Sequence, residues 1–198
     1  MTSVVLGGSR HISRLAADVR VRLDRIVEQQ FRVLVGDANG ADKAFQTYLA
    51  DKRYGNVEVF CSGEVPRNNV GHWPCRQVTT KAKPGTFEFY SAKDKAMADG
   101  ATLGFMLWDA ESAGTMVNVW RLVRKQKTSL VYLQSKKTFV EVRMHEEWRR
   151  LLDLAVPDAR EDIEKKVQVE LLAEPPANDT NTSGEQMQFS LSAGGRSR

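Results

Sequence analysis

The sequence lacks any apolar run long enough to cross a membrane, and it contains only two cysteines, Cys61 and Cys75. Because a membrane-spanning helix needs about 20 consecutive apolar residues, we expect no membrane partner. Two cysteines cannot form the disulfide framework of a small secreted protein, and they suit a reducing compartment. The first residues also lack the basic-then-apolar order of a secretory signal. We therefore predict a cytoplasmic protein.

The few cysteines and histidines do not form a recognisable metal or nucleophile pattern. Cys61, His72 and Cys75 are a partial zinc set, but their spacing matches no standard site and a fourth ligand is missing. His11 and His145 stand apart, and no Ser-His-Asp or Cys-His arrangement is evident. The sequence also has no Walker-type motif and no third glycine of a dinucleotide fingerprint. We expect no metal and no cofactor.

Positive charge is present but unevenly distributed. The formal net charge is +4 over 198 residues, whereas residues 121–150 contain nine Lys or Arg and three Glu. Such a concentration can meet the phosphates of nucleic acid. A solvated helix face with scattered lysines is the ordinary interpretation. Single-stranded DNA binding through this region therefore stays a secondary hypothesis.

Short apolar runs alternate with helical patterns along most of the chain. The runs predict strands at 2–6, 31–35, 56–60, 102–108 and 129–133, with a short addition at 139–142. Helical spacing begins at Ile12 and, after the turn at 36–42, at Ala44, and it recurs over 90–101, 115–127 and 146–154. Residues 61–86 have no clean period and are predicted to form a loop. This order predicts an α/β fold, a Rossmann-like three-layer sandwich with a mainly parallel sheet of five or more strands.

The composition divides the chain into three segments. Residues 1–157 contain the strand and helix pattern of one domain, and its last apolar helix can serve either the core or a homo-oligomer interface. Residues 158–173 alternate charged and apolar residues, which suits a helical extension. Residues 174–198 are rich in Pro, Asn, Thr, Ser and Gly, so we predict a disordered tail there.

Three turns rich in small residues follow predicted strands, at residues 7–10, 36–42 and 112–115. The carboxyl ends of parallel strands share one edge of a sheet, where ligands of open α/β folds bind. At the third turn, the order of strand, turn and helix directs backbone N–H groups and the positive end of a helix dipole toward an anion. Asp109, just before that turn, offers a carboxylate for sugar hydroxyls or proton transfer.

The candidate site residues come from these turns and from the helix at 90–101. Arg10 suits a bidentate grip on phosphate, and Gly40 allows a close approach of backbone to ligand. Asp42 can equally be a first-turn residue that satisfies a helix dipole, and Lys93 and Asp94 can be a solvated helix surface. The ligand-binding candidates are Gly8, Ser9, Arg10, Gly36, Asp37, Gly40, Asp42, Lys93, Asp94, Trp108, Ser112, Gly114, Thr115 and Asn118. Asp109 is the candidate catalytic residue.

Taken together, four motifs in this order resemble the SLOG superfamily, Rossmann-like proteins related to the lonely-guy phosphoribohydrolases and to DNA-processing protein A. They are Gly-Gly-Ser-Arg at 7–10, Gly-Asp-Ala-Asn-Gly-Ala-Asp at 36–42, Lys-Asp with Met97 at 93–97, and Trp-Asp with Ser-Ala-Gly-Thr at 108–115. The resemblance covers residues 2–134, and it is closest to the small bacterial and phage branch with a Gly-Ser-Arg start.

The resemblance implies binding of nucleotides or nucleotide-derived ligands, and in some branches cleavage of a base from ribose 5′-phosphate. One position departs from the lonely-guy pattern: Asn118 stands where those enzymes have a glutamate, and their double glycine is missing. Asparagine can hydrogen-bond a sugar, but it cannot act as a general base or a nucleophile. Hydrolysis by the lonely-guy route is therefore not expected.

The leading hypothesis is a nucleotide-binding domain, for which sensing a signalling nucleotide is one role. The turns at 7–10 and 112–115 take phosphate, Asp37, Asp109 and Asn118 take ribose, and Trp108 or Tyr90 stacks on the base. An alternative is an N-glycosidase or deoxyribosyltransferase-like enzyme in which Asp109 replaces the missing glutamate.

Overall fold

The computed structural model describes residues 1–173, and its centre is a seven-stranded sheet. The strands are β1 (Ser3–Gly8), β2 (Arg32–Gly36), β3 (Val57–Cys61), β4 (Cys75–Gln77), β5 (Leu103–Trp108), β6 (Ser129–Leu133) and β7 (Thr138–Val142). Their order across the sheet is β4-β3-β2-β1-β5-β6-β7. Every neighbouring pair is parallel except β6 with β7, which is antiparallel.

Six α-helices within residues 1–173 cover the two faces of this sheet. They are α1 (Ala17–Glu28), α2 (Ala41–Asp51), α3 (Phe87–Gly100), α4 (Ala113–Arg124), α5 (His145–Leu152) and α6 (Pro157–Ala173). Side chains alternate between the faces along each strand. Thus Val4 and Leu6 of β1 join the core under α1 and α2, whereas Val5 joins the core under the other four helices. This arrangement confirms the predicted α/β three-layer sandwich.

The chain order of the strands creates one switch point, between β1 and β5. The chain runs outward from β1 through β2 and β3 to β4, then returns to β1 and continues outward through β5. Gly8 at the end of β1 pairs with Leu107 of β5, and a Cβ on Gly8 would overlap the Leu107 carbonyl oxygen. Open α/β sheets bind ligands in the crevice above such a point. The first glycine-bearing turn therefore lies where the topology predicts a site.

The α4 helix is enclosed on nearly all sides. Trp148 of α5 packs against it, and the Trp148 indole Nε1 donates a hydrogen bond to the Met116 carbonyl oxygen at 3.0 Å. Ile163 and Val167 of α6 are buried in the same core. Residues 157–173 thus form a helix that docks on the domain. None of the helices in residues 1–173 is both long and apolar enough to span a membrane.

Two sequence-based boundaries were wrong. The first helix begins at Ala17 and not at Ile12. Ile12 lies in the connection before the helix, where its side chain is buried, so its apolar character reflects burial and not helical spacing. The segment at 61–86, predicted to be a loop, contains the edge strand β4. All three residues of β4 are exposed, so no apolar alternation marks the strand in the sequence. The tail predicted at 174–198 lies outside the described residues.

Candidate functional site

A cavity of about 370 Å³ opens at the carboxyl end of the sheet, above the switch point. This volume lies within the range of small-molecule sites in proteins. Its walls come from β1 and the β1–α1 connection, from the length of α3, from the first three turns of α4, and from one side of α6. Ten of the predicted residues line it: Gly8, Ser9, Arg10, Asp42, Lys93, Asp94, Ser112, Gly114, Thr115 and Asn118.

The first turn of α4 faces this cavity with Gly114 and Thr115. The side chain of the N-cap residue, Ser112, makes no capping hydrogen bond to this turn, although a helix leaves its first backbone N–H groups without intrahelical partners. The Thr115 hydroxyl donates to the Ser112 hydroxyl oxygen at 3.0 Å and not to the cavity. The turn therefore presents backbone donors and the positive end of the helix dipole.

Asp109 organises the connection from β5 to α4 and does not line the cavity. Its Oδ1 accepts hydrogen bonds from the N–H groups of Glu111 at 3.0 Å and Ser112 at 2.8 Å, and its Oδ2 accepts one from the Ser9 hydroxyl. Partial burial would raise the pKa of Asp109, but these donors outweigh burial and lower it. The carboxylate therefore acts as a charged anchor for the loop.

One group of side chains beside this anchor has the donor types of a metal site. Possible ligand atoms of His11, Asp109 and Glu111 lie within 4.8 Å of one another, and His11 Nδ1 is 3.2 Å from Asp109 Oδ2. Across residues 1–173 this is the group that could hold a metal ion. His11 and Glu111 are exposed, and such groups are common on protein surfaces.

The Cys61 and Cys75 sulfur atoms are 3.6 Å apart, on neighbouring strands.

The floor of the cavity is a cluster of buried charges around Lys93. The Lys93 Nζ lies 2.8 Å from Asp94 Oδ1, 3.8 Å from Asp42 Oδ2 and 4.0 Å from Asp37 Oδ1. Burial would lower the pKa of Lys93, but the three carboxylates outweigh it and raise that pKa. Burial would likewise raise the pKa of Asp94, yet Lys93 and Arg121 lower it. The lysine therefore stays charged in the interior.

Asp42 is the exception in this cluster, because burial raises its pKa to about 6. The folded protein then holds the Asp42 proton more tightly than the unfolded chain between pH 3.8 and about pH 6. Ionisation of this group therefore lowers stability as the pH rises through that window. We expect the Asp42→Asn variant to lack this decline. Its free energy of unfolding should therefore increase relative to that of the wild type as the pH rises from 3.8 to about 6. Urea denaturation at several pH values measures the difference.

Asp51→Asn, at the exposed end of the same helix, is the control for that comparison. Its stability should run parallel to that of the wild type over the same pH range. An Asp42→Asn curve that is also parallel would contradict the assignment.

Asp37 lies behind the cavity wall and positions Arg67, which is not among the candidate site residues named from the sequence. The Arg67 side chain forms a bidentate pair with Asp37, with Nε 3.0 Å from Oδ2 and Nη2 2.6 Å from Oδ1. Burial would raise the pKa of Asp37, but Arg67 and then Lys93 lower it. The Arg67 guanidinium lies 4.7 Å from the ring centroid of Tyr90 and lines the cavity.

Arg10 approaches the same ring and differs from the other cavity cations. Its guanidinium carbon lies 5.1 Å from the Tyr90 centroid. Arg67, Lys93 and Lys166 each have a carboxylate partner, whereas Arg10 has none among residues 1–173. The Arg10 side chain is also exposed. It is therefore the cavity cation that can take an anion without breaking an ion pair.

Trp108 was wrongly predicted to stack on a base. It is fully buried, and its indole Nε1 donates to the Ser112 carbonyl oxygen at 3.2 Å. Gly36 and Gly40 also lie outside the cavity lining. A Cβ on Gly36 would overlap Asp42, and a Cβ on Gly40, whose φ is +78°, would overlap the backbone of Arg10. At these two positions the absence of a Cβ accommodates neighbouring protein atoms and not a ligand. The same turn places Asp37 behind the cavity wall.

Two further outcomes concern charged residues outside the predicted site. Arg121, part of the basic region at 121–150, is buried against Glu170 of α6, with Nε donating to Oε2 at 2.9 Å. It is therefore not available to nucleic acid.

Asp162 and Lys166 of α6 line the cavity, and nothing in their spacing distinguishes them from the other charged residues of that helix.

Comparison of the chain with protein-family models, with curated proteins and with solved structures gave no match.

Proposed function

We propose that the cavity binds a nucleotide or a nucleotide-derived ligand. The observation that carries this proposal is that Arg10, which has no carboxylate partner among the described residues, lines the same cavity as the first turn of α4, where the N-cap side chain of Ser112 makes no capping hydrogen bond. Helix N-termini attract anions through N–H groups and the dipole. A guanidinium adds a bidentate, charge-assisted grip on phosphate. The two features together suit a phosphate group.

The remaining lining suits the nucleoside part of such a ligand. Asn118 Nδ2 donates to Asp94 Oδ2 at 3.3 Å, so a carboxylate and an amide lie side by side in the lining, where groups of these types bind sugar hydroxyls or a base edge. The half-buried rings of Phe87 and Tyr90 supply aromatic surface from α3, the same helix that carries Asp94. Tyr90 thus keeps the stacking role that Trp108 cannot have.

Two earlier expectations belong to the same proposal. The ligand class agrees with the one implied by the resemblance to the SLOG superfamily, and sensing of a signalling nucleotide is the role we propose for it. A cytoplasmic location agrees with the free thiols of Cys61 and Cys75. A homo-oligomer stays a prediction.

Calorimetric titration with a panel of nucleoside monophosphates, nucleoside diphosphates, cyclic dinucleotides and ADP-ribose derivatives tests the proposal. At least one member should bind to the wild type. The Arg10→Ala variant should bind that member about tenfold more weakly or worse, because a hydrogen-bonded charge is removed. Since Arg10 is exposed and makes no ion pair within residues 1–173, this change should leave thermal unfolding nearly unaltered.

Arg14→Ala is the matched control, because Arg14 is an exposed arginine of the same connection that does not line this cavity. It should bind the ligand as the wild type does. Absence of binding by every member of the panel would overturn the proposal.

The hydrolytic alternative is separated by the same samples. Chromatography after incubation would detect release of a free base, and Asp109→Asn would abolish that release if Asp109 stabilised an oxocarbenium-like centre. The three donors to Asp109 instead favour its role as an anchor, so we expect the nucleotide to be recovered intact.

A further inference from the structure

The α6 helix supplies one side of the candidate site, although it lies outside the segment whose motifs predicted that site. Asp162 and Lys166, one turn apart, both line the cavity. The Lys166 Nζ is 5.1 Å from the ring centroid of Phe87. Phe87 also lines the cavity, at the beginning of α3. A helix beyond the sheet therefore brings a cation to an aromatic wall of the site.

The position of Lys166 is fixed by how α6 docks. Ile163 and Val167 flank it in sequence and are buried against the core, and Glu170 forms the buried pair with Arg121. Arg121 in turn donates a hydrogen bond to the Asn118 side-chain oxygen, and Asn118 lines the cavity. The docking contacts of α6 thus adjoin the cavity floor.

Lys166 and Arg10 each approach an aromatic ring of α3, and all four residues line the cavity. Arg10 is over Tyr90 and Lys166 is over Phe87, each about 5.1 Å from the ring centroid. Phe87 and Tyr90 are three residues apart on α3, so they are neighbours on one helix face. Two cations therefore flank one pair of aromatic rings.

Lys166 has a weak partner that an anion can replace. It pairs with Asp162 one turn earlier on α6, and the Asp162 side chain is 51% exposed. Exposed pairs of this spacing contribute little to stability. A phosphate compensates a lysine better than an exposed aspartate does, because it carries more charge and more acceptor oxygens.

We propose that Lys166 contacts the ligand and that, with Arg10, it selects a nucleotide bearing a terminal phosphate or diphosphate over its uncharged nucleoside. This proposal rests on the proposed function and specifies the ligand class of the same site. It also means that residues 1–157 alone form an incomplete site.

The neighbouring residue, Lys165, provides a matched control. It pairs with Glu161 at the same spacing, but its side chain is 70% exposed, against 24% for Lys166, and it does not line the cavity. The experiment uses the full chain and measures the affinity of Lys166→Met, Lys166→Arg and Lys165→Met for the tightest nucleotide of the panel. The corresponding nucleoside is measured as a competitor.

Lys166→Met should weaken nucleotide binding about tenfold and leave nucleoside binding unchanged. Lys166→Arg should retain most of the nucleotide affinity, and Lys165→Met should retain all of it. Equal affinities for Lys166→Met and Lys165→Met would overturn this inference and leave the proposed function intact. A similar loss for nucleotide and nucleoside would also overturn it, because it would indicate a structural role. If the wild type binds no nucleotide, both proposals fail.

Discussion

Replacement of Glu170 by alanine is expected to lower the free energy of unfolding by about 3–5 kcal/mol, the usual cost of removing one partner of a buried ion pair. Glu170 and Arg121 are each only 3% exposed, and the pair bridges α6 and α4. The variant leaves the Arg121 guanidinium in the interior with the Ser91 hydroxyl at 2.7 Å, with Asn118, and with one carboxylate, Asp94, whose Oδ2 is 4.0 Å from Arg121 Nη1. Urea denaturation followed by far-ultraviolet circular dichroism measures the loss.

The expected cost comes from a buried guanidinium that loses its nearest carboxylate, and two comparisons isolate it. Glu164→Ala, on the same helix in an exposed pair with Arg160, should change stability by less than about 1 kcal/mol. The double variant Arg121→Met, Glu170→Met should recover much of the loss, because it removes both charges and keeps apolar volume. A double variant as unstable as the single one would contradict this account.

The pH dependence of the same variant has a defined sign. Burial would raise the pKa of Glu170, but Arg121 outweighs burial and holds it below 4.5. The stabilisation by the ionised Glu170 is therefore complete above pH 4.5 and is lost as the pH falls through the lower folded-state pKa. The difference between Glu170→Ala and the wild type should narrow over that acidic range.

The layer architecture could be predicted because it depends on local patterns. Apolar runs of strand length alternate with helical spacing, and the buried parallel strands β1, β2 and β5 read as continuous apolar segments, as strands covered on both faces do. The edge strand β4 could not be predicted, because an exposed three-residue strand is specified by its backbone partners on β3 and not by its own side chains.

Trp108 shows where reading a motif misled and where strand geometry would have helped. It is the last residue of β5, so it shares a face with Met106 and not with Leu107. Met106 and Trp108 belong to the core under α4, and Leu107 belongs to the opposite core. Period-two alternation therefore points the indole into the interior, although the motif places its backbone at the rim of the site.

Arg121 was predicted to lie on a basic surface, and its own helix argues against that. Its neighbours on α4, Trp120 and Leu122, are buried along with most of that helix. A basic residue on a helix that is apolar nearly all round must be paired inside the protein. The partner could not be predicted, because local sequence does not reveal which acidic residue of α6 meets α4.

Lys93→Met is expected to destabilise the protein by about 3–5 kcal/mol at neutral pH, because it removes the shared cation of a buried carboxylate cluster. Asp37 keeps its bidentate pair with Arg67, and Asp94 keeps Asn118. Asp42 keeps only the hydrogen bond from the Ala38 N–H at 3.1 Å among its contacts in residues 1–173. Methionine preserves the volume of the lysine stem, so the loss measures charge and not a cavity.

The destabilisation by Lys93→Met should shrink as the pH falls toward 5, which distinguishes an electrostatic cause from a packing defect. Without Lys93, the folded-state pKa of Asp42 should rise further above its value of about 6. Protonation should therefore remove the uncompensated negative charge of Asp42 at a higher pH than in the wild type. Adding Asp42→Asn to Lys93→Met should restore part of the stability at neutral pH. Lys125→Met, which breaks an exposed pair with Asp99 at 2.7 Å, should cost less than about 1 kcal/mol at any pH. The electrostatic explanation is contradicted if the loss of stability in Lys93→Met does not depend on pH and Asp42→Asn does not reduce that loss. The buried charges around Lys93 would then not determine the stability of this cluster.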